Sequence, residues 1–487
     1  MLHYPLEWCE KAGFESIIVL TLSEHHAAIQ SYLRSHRVTK VANTPLYVQC
    51  HAASSMDDNL SSADVVRIAF QKGWITQDVC VLPCDLVTNL EGSRLAELWM
   101  ATQAGFDGDL GRVSRKYASA GDGEDGRRGG LTVWYQTMGE GAVKGQETDF
   151  VAATPLLSPP AIGTGLPDGD IGTLLTTAPS TSLKGLNEIP IRHSMLAQFP
   201  DTKIYATFRD AGIYFLPFWA LKFLERNPML SSLREDVLPW IAKARWQSPK
   251  LARKLGITDI LAGTEPAGPN TENDSNDVPY QRYDIGSLSS TRSRRSKNPP
   301  IPSIIAYLPS APSVFMRRVD TVHLYLFTSL HLAKSDPTAP SALKIDPSAN
   351  IGERTNITAL DCLVAEKASI GDRAVIKKTV IGAGCSIGRG VRLTGCLLMD
   401  GASVAENSKL EGCIIGRKAN IGAKVSLKDC EVADSFFVDD GTEAKNERFL
   451  HAMEQATDDE EGESDDGDYE YSESGEETDS AETSGEE

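Results

Sequence analysis

Between Cys362 and Asn446 the hydrophobic positions of the chain recur every 17 residues, in blocks that begin at Cys362, Thr379, Cys396, Cys413 and Cys430. The third, ninth and fifteenth places of each block are apolar: Val364, Ile370 and Ile376; Ile381, Ile387 and Leu393; Leu398, Val404 and Leu410; Ile415, Ile421 and Leu427; Val432, Val438 and Ala444. The spacing within a block is six, six and then five. That spacing fits neither an amphipathic helix nor an alternating strand. It predicts a parallel β-helix, in which each coil has three short faces and each face sends one side chain inward. A single coil cannot bury its apolar residues, so stacked coils share one continuous core. Burying one Val, Leu or Ile contributes about 1.5–3 kcal/mol, and five coils suffice for a stable prism. Small residues at the seventh place (Ala368, Cys385, Ala402, Ala419), with Gly or Ala at the tenth, suit tight corners. Phe436 and Asp439 mark the last block as a degenerate cap, and Ile351-Gly352 with Ile357 predict one further coil out of strict register.

Upstream the pattern changes to alternating helix and strand signals. Residues 4–14 read as a helix ended by Gly13, 15–22 as a buried strand, 25–36 as a helix and 45–50 as a strand. Residues 61–73 read as a helix capped by Ser61 or Ser62 and stopped by Gly73. A strand follows at 78–85 and a helix at 90–105. Such alternation predicts a parallel sheet covered on both faces, with ligands at the carboxyl ends of its strands. Asp85 ends the most apolar of these strands, where a metal-binding carboxylate would sit.

Past Gly105 the signals loosen. GDGEDGRRGG (121–130) reads as a polar loop, 131–138 as a strand and 149–157 as a second one. The Pro/Gly/Thr/Ser-rich stretch 158–182 reads as an exposed insertion. Residues 202–247 then predict a strand through Phe208, a turn at Arg209–Gly212, a strand through Pro217 and a helix from Phe218. A second helical segment follows, with Ser231 or Ser232 as cap and Glu235 placed to close a capping box. A second polar insertion spans 262–300 and includes a basic run, Arg292 to Lys297, read as a solvated loop. Apolar segments at 301–308 and 315–330 lead into the repeat.

Composition changes this picture in two places. The formal net charge is −19, but Asp458–Glu487 holds sixteen acidic residues and no Lys or Arg. The rest of the chain is therefore near neutral, which does not mark a general nucleic-acid binder. The tail, 454–487, has too few large aliphatic residues to fold and reads as a disordered acidic arm; Ser474, Thr483 and Ser484 each precede an acid by three residues, the setting of a phosphorylation site. Nine cysteines occur, and four (Cys362, Cys396, Cys413, Cys430) share the first place of the block. They read as small buried side chains at equivalent sites rather than as a metal or redox ladder, since no CxxC pair accompanies them. Free thiols in this number suit a reducing compartment, and no signal peptide or membrane-length apolar run is visible, so the expected location is the cytosol.

The repeat resembles the hexapeptide left-handed β-helix family, which includes acyltransferases and the C-terminal domains of sugar nucleotidyltransferases. The acyltransferases use a histidine base, and residues 345–440 contain no histidine. A helix ending in Gly before a strand, then SSAD (61–64) and LPCD (82–85), resembles nucleotidyltransferases that make nucleoside-diphosphate sugars. In those enzymes the residue matching Asp85 helps hold magnesium and nucleotide. They also begin with a strand and a Gly-rich phosphate loop carrying an Arg, whereas Met1 here falls inside the first helix of the pattern. The resemblance therefore implies a site without catalytic residues, cofactor or metal, with Asp85 as a vestigial candidate. The segment 210–240, with LPCDLVTN (82–89) and the ending 427–447, resembles the gamma-subunit family of eukaryotic initiation factor 2B.

That resemblance spans roughly residues 1–450. It implies a non-catalytic scaffold or regulatory subunit of a guanine-nucleotide exchange factor. The implied partners are the epsilon subunit, the other subunits and the GTPase initiation factor 2, without membrane or direct nucleic acid. The alternative is a truncated sugar-phosphate nucleotidyltransferase of the mannose-1-phosphate guanylyltransferase kind. The expected architecture is an α/β, Rossmann-like nucleotidyltransferase-like domain over 1–330, a left-handed β-helix over 345–446 and the acidic tail.

Overall fold

The computed structural model describes residues 1–35, 47–52, 60–103, 129–138, 142–143, 145–156, 165–183, 191–262, 301–334 and 343–451. The loop at 121–128, the second insertion at 263–300 and the acidic tail lie outside these residues. The chain divides into two compact units, Met1–Thr328 and Ser329–Glu487.

The first unit is α/β. Its chain runs through helix α1 (His3–Ala12), β1 (Ser16–Thr21), α2 (Ser23–Ser35), β2 (Tyr47–Ala52), α3 (Ser62–Gln71), β3 (Val79–Val81), β4 (Leu86–Thr88) and α4 (Gly92–Gln103). It continues through β5 (Leu131–Gln136), β6 (Asp149–Pro155), β7 (Gly169–Pro179), β8 (Lys203–Leu216), β9 (Ile305–Pro309) and β10 (Met316–Arg318), with helices at Phe218–Arg226 and Leu238–Trp246. The principal sheet has the order β3-β8-β5-β9-β7-β6.

That sheet is covered on both faces, as the alternation predicts. Trp134, Leu174, Tyr214, Leu216, Ala306 and Leu308 pack with α3 and the two later helices. Leu131, Val133, Tyr135, Ile213, Phe215, Ile305 and Tyr307 pack with α1 and α4 on the other side. The strand direction differs from the prediction. Only β5 and β9 are parallel within this sheet, and β1 pairs parallel with β2 in a separate two-stranded sheet. The cause is β8, fourteen residues long, which runs antiparallel to β3, β5 and β6 at once. Antiparallel neighbours need no helical crossover, so helix–strand alternation does not report their direction.

Three local expectations are corrected. The exposed insertion at 158–182 contains β7, which pairs with β6 and β9, and Leu174 and Leu175 are fully buried. Its glycines reflect close backbone packing: a Cβ on Gly172 would lie 2.6 Å from the Thr154 carbonyl oxygen. The predicted turn at Arg209–Gly212 is continuous strand. Three β8 residues, Ala211–Ile213, face the single residue Val133 in the register with β5, forming a bulge with Gly212 at φ 73°. Finally, the predicted 78–85 strand stops at Val81, and Asp85 occupies a turn before β4.

The caps follow the expected residues with one change. Ser61 caps α3, its N–H donating to the Asp64 carboxylate at 3.3 Å. Ser232 accepts from the Glu235 N–H at 3.2 Å. The reciprocal acceptor for the Ser232 N–H is Asp236, not Glu235, because the first turn (Leu233–Val237) is a π-turn that shifts the pairing by one residue.

The second unit carries the column. Three six-stranded parallel sheets form its faces, and from Leu363 on each strand pairs with the strand 17 residues later. Fourteen of the fifteen repeat positions are buried and Ala444, in the last coil, is half-buried. The extra coil is present: Ile351 pairs with Ile370 and Ile357 with Ile376, 19 residues apart, because the corner between Ile357 and Val364 is two residues longer. The corners are left-handed, and ten non-glycine residues, among them Lys367, Arg373, Lys418 and Lys424, have positive φ there. Asp400, Asp434 and Asp440 each accept an N–H from the neighbouring coil at 2.7–2.8 Å.

Candidate functional site: an arginine–carboxylate network

The principal sheet gathers the chemically capable side chains of the first unit. Asp85, in the β3–β4 turn, accepts at Oδ1 from Arg318 Nε at 2.6 Å, and its carbonyl accepts from the Val319 N–H at 2.9 Å. Arg318 is held there because β10 runs antiparallel to β4, which sets Arg318 opposite Leu86. Arg209 on β8 pairs with Asp320. Arg234, on the π-turn, pairs with Asp149 through Nε at 3.1 Å and with Glu147 at 3.3 Å. Asp149 is fully buried, and its Oδ2 accepts from the Asp210 N–H at 2.7 Å.

Asp210 is the most perturbed of these acids. Burial pushes its carboxyl up to about 6, against the opposing effect of the Tyr214 hydroxyl and the Gly212 N–H, both of which donate to it. The bulge at Gly212 makes this possible by curling the backbone amide back onto the Asp210 carboxylate. Tyr214 in turn is raised well above its ordinary range, first by burial and then by Asp210. Tyr135 on β5 closes the group, its hydroxyl accepting from Gln146 at 3.0 Å.

Each of these carboxylates but Asp210 therefore faces a guanidinium. A carboxylate that meets an arginine at hydrogen-bond distance has a cation where a metal ligand would need an open coordination site. Among the described residues no group of three or more His, Cys, Asp or Glu is assembled as metal ligands. The sequence singled out Asp85 alone. Arg318 and Asp320 lay inside the segment RRVD, and Asp210 and Arg234 inside 210–240, but nothing in their spacing reveals that they meet. A separate cleft of about 230 Å³, lined by Thr176, Arg192, Trp240, Lys243 and Trp246, shares no residue with this network.

The cysteine positions of the column are structural in geometry. Cys396, Cys413 and Cys430 donate to carbonyls two residues back at 3.2–3.4 Å, and Thr379 does the same at 2.7 Å in the block that lacks a cysteine. In these four blocks the place holds a small donor that reaches the i−2 carbonyl, whereas Cys362, in the first block, donates to the Ile376 carbonyl at 3.7 Å. Burial raises the Cys362 and Cys430 thiols, which keeps them protonated.

Residues 342–444 match the family described as the EIF2B subunit epsilon LbH domain, a left-handed β-helix, in agreement with the observed column. The chain also resembles two proteins named translation initiation factor eIF2B subunit gamma. The Schizosaccharomyces pombe protein is 27% identical over 254 residues, covering 52% of this chain and 46% of the relative. The Dictyostelium discoideum protein is 23% identical over 223 residues, covering 43% of this chain and 47% of the relative. The chain thus spans about half the length of the curated relatives it matches. Among the described residues no helix is long and apolar enough to cross a membrane.

Proposed function

We propose that this chain is a non-catalytic scaffold subunit of the initiation factor 2B exchange factor, working in the cytosol. In this reading the sheet unit and the column hold the epsilon subunit in a geometry that supports GDP-to-GTP exchange on initiation factor 2. The observation that carries the non-catalytic part is the Asp85–Arg318 pair. The position that resembles a metal-holding aspartate in sugar nucleotidyltransferases is engaged by a guanidinium from the same fold. The similarity to eIF2B gamma subunits supports the assembly. The chain itself transfers no nucleotidyl group and holds no cofactor or metal; its partners are proteins, not membrane or nucleic acid.

Two measurements test this. Affinity-tagged chain expressed in its own cells is expected to co-purify with the other exchange-factor subunits; recovery of none overturns the assembly. Purified chain, given nucleoside triphosphate, sugar 1-phosphate and magnesium, is expected to release no pyrophosphate. Release that disappears in Asp85→Asn would establish the nucleotidyltransferase alternative instead.

A further inference from the structure

The three faces of the column differ sharply in charge. On one face the outward row reads Ser369, Ser386, Ser403, Asn420, and on a second Leu363, Val380, Leu397, Ile414. The third face, between the second and third corners, is basic. Over residues 373–378, 390–395 and 407–412, one face of three successive coils, it carries Arg373, Lys377, Lys378, Arg392 and Lys409 against one carboxylate, Glu411. Glu411 already pairs with Lys428 at 3.6 Å. Arg392 and Lys409 are direct neighbours on paired strands. Like charges in that relation repel and destabilise a sheet. All five cations are exposed, and none forms an ion pair with a described residue. Arg389 stands just outside this face, between Asp372 and Glu406 of the adjoining coils.

We propose that this face is the docking site of the chain's own acidic segment, Asp458–Glu487, which forms a salt-sensitive latch along the column. The charges are complementary: sixteen carboxylates and no Lys or Arg meet five cations free of ion pairs. The reach is sufficient. The described chain ends at His451, and Asp458 follows seven residues later. Seven residues span up to about 25 Å. Phe449 lies four 17-residue coils beyond the coil of Arg392, or about 19 Å at ~4.8 Å per coil. The face displays no aromatic side chain, so it lacks the stacking platform that single-stranded nucleic acid uses. Individual exposed pairs are weak, but tethering raises the effective concentration of the segment and the pairs act together. Phosphorylation of Ser474, Thr483 or Ser484 adds negative charge and tightens the latch.

The test uses the full chain and a carbodiimide, which condenses a carboxylate with a lysine amine into an amide with loss of water. At low salt, cross-links are expected from Lys377, Lys378 and Lys409 to the acidic segment. Their yield should be unchanged on about tenfold dilution and should fall about fivefold or more near ~0.5 M salt. Equal cross-linking to Lys367 and Lys418, which lie on another edge, would overturn the proposal. So would cross-links that form only between isotopically distinct copies, which would identify a second copy as the occupant. As an independent readout, a glutamate-specific protease should cut the segment about three- to tenfold faster in K377E/R392E/K409E than in wild type. Equal rates, with the circular dichroism unchanged, would also overturn it.

Discussion

Replacing Ile387 by Asp tests the column at a single atom-level choice. Ile387 points inward, 3% exposed, stacked between Ile370 and Val404 on paired strands. Removing its apolar burial and leaving a cavity costs about 2–5 kcal/mol, as for other large-to-small core changes. The new carboxyl has no partner there. Keeping it neutral at pH 7, about 3 units above the ordinary carboxyl value, costs a further ~4 kcal/mol. The total, about 6–9 kcal/mol, is comparable to the whole stability of a domain. Ser386 is its neighbour on the same two-residue strand, but faces solvent between Ser369 and Ser403. Ser386→Asp should change stability by no more than about 0.5 kcal/mol. The measurement is hydrogen exchange across residues 363–432 in the full chain, together with the denaturant midpoint of each variant. Ile387→Asp should abolish protection in the coils around it while Ser386→Asp leaves it intact. Similar profiles for the two would refute the inward–outward assignment on which the prism rests.

Three further outcomes are expected. Lys418 has φ 54° at a corner where Gly401 occupies the same place one coil earlier, so Lys418→Gly should raise stability by about 1 kcal/mol, seen as a higher Tm; a lower Tm would contradict the corner strain. Arg234→Ala leaves the fully buried Asp149 without its cation and should cost about 3–5 kcal/mol by denaturant titration, whereas the exposed control Arg94→Ala should leave the denaturant midpoint essentially unchanged. Asp210, raised to about 6 in the folded chain from an unfolded value near 3.8, binds its proton more tightly when folded. Its contribution is therefore fully present below about pH 4, is lost as pH rises to about 6, and amounts to roughly 3 kcal/mol. Asp210→Asn should remove that slope from the stability difference between pH 4 and 6; an unchanged slope would assign it to another group.

The 17-residue recurrence alone determined the column and its inward residues, and Ile351 and Ile357, outside the strict period, marked its additional coil. A β-helix is nearly one-dimensional, each coil touching only its neighbours, so local spacing carries almost all of its structural information. The helices and most strands of the first unit before residue 158 were legible for the same local reason, as were the Ser61 and Ser232 caps. Tertiary structure decided the rest. Strand direction followed from one long strand, β8, meeting three others, and β7 was hidden because close backbone packing at Gly169 and Gly172 demanded the glycines that otherwise mark a loop. Asp85 and Arg318 are 233 residues apart and Asp149 and Arg234 are 85 apart. Such contacts leave no period in the sequence, because they are selected by the closing of a whole sheet and not by the residues beside them in the chain.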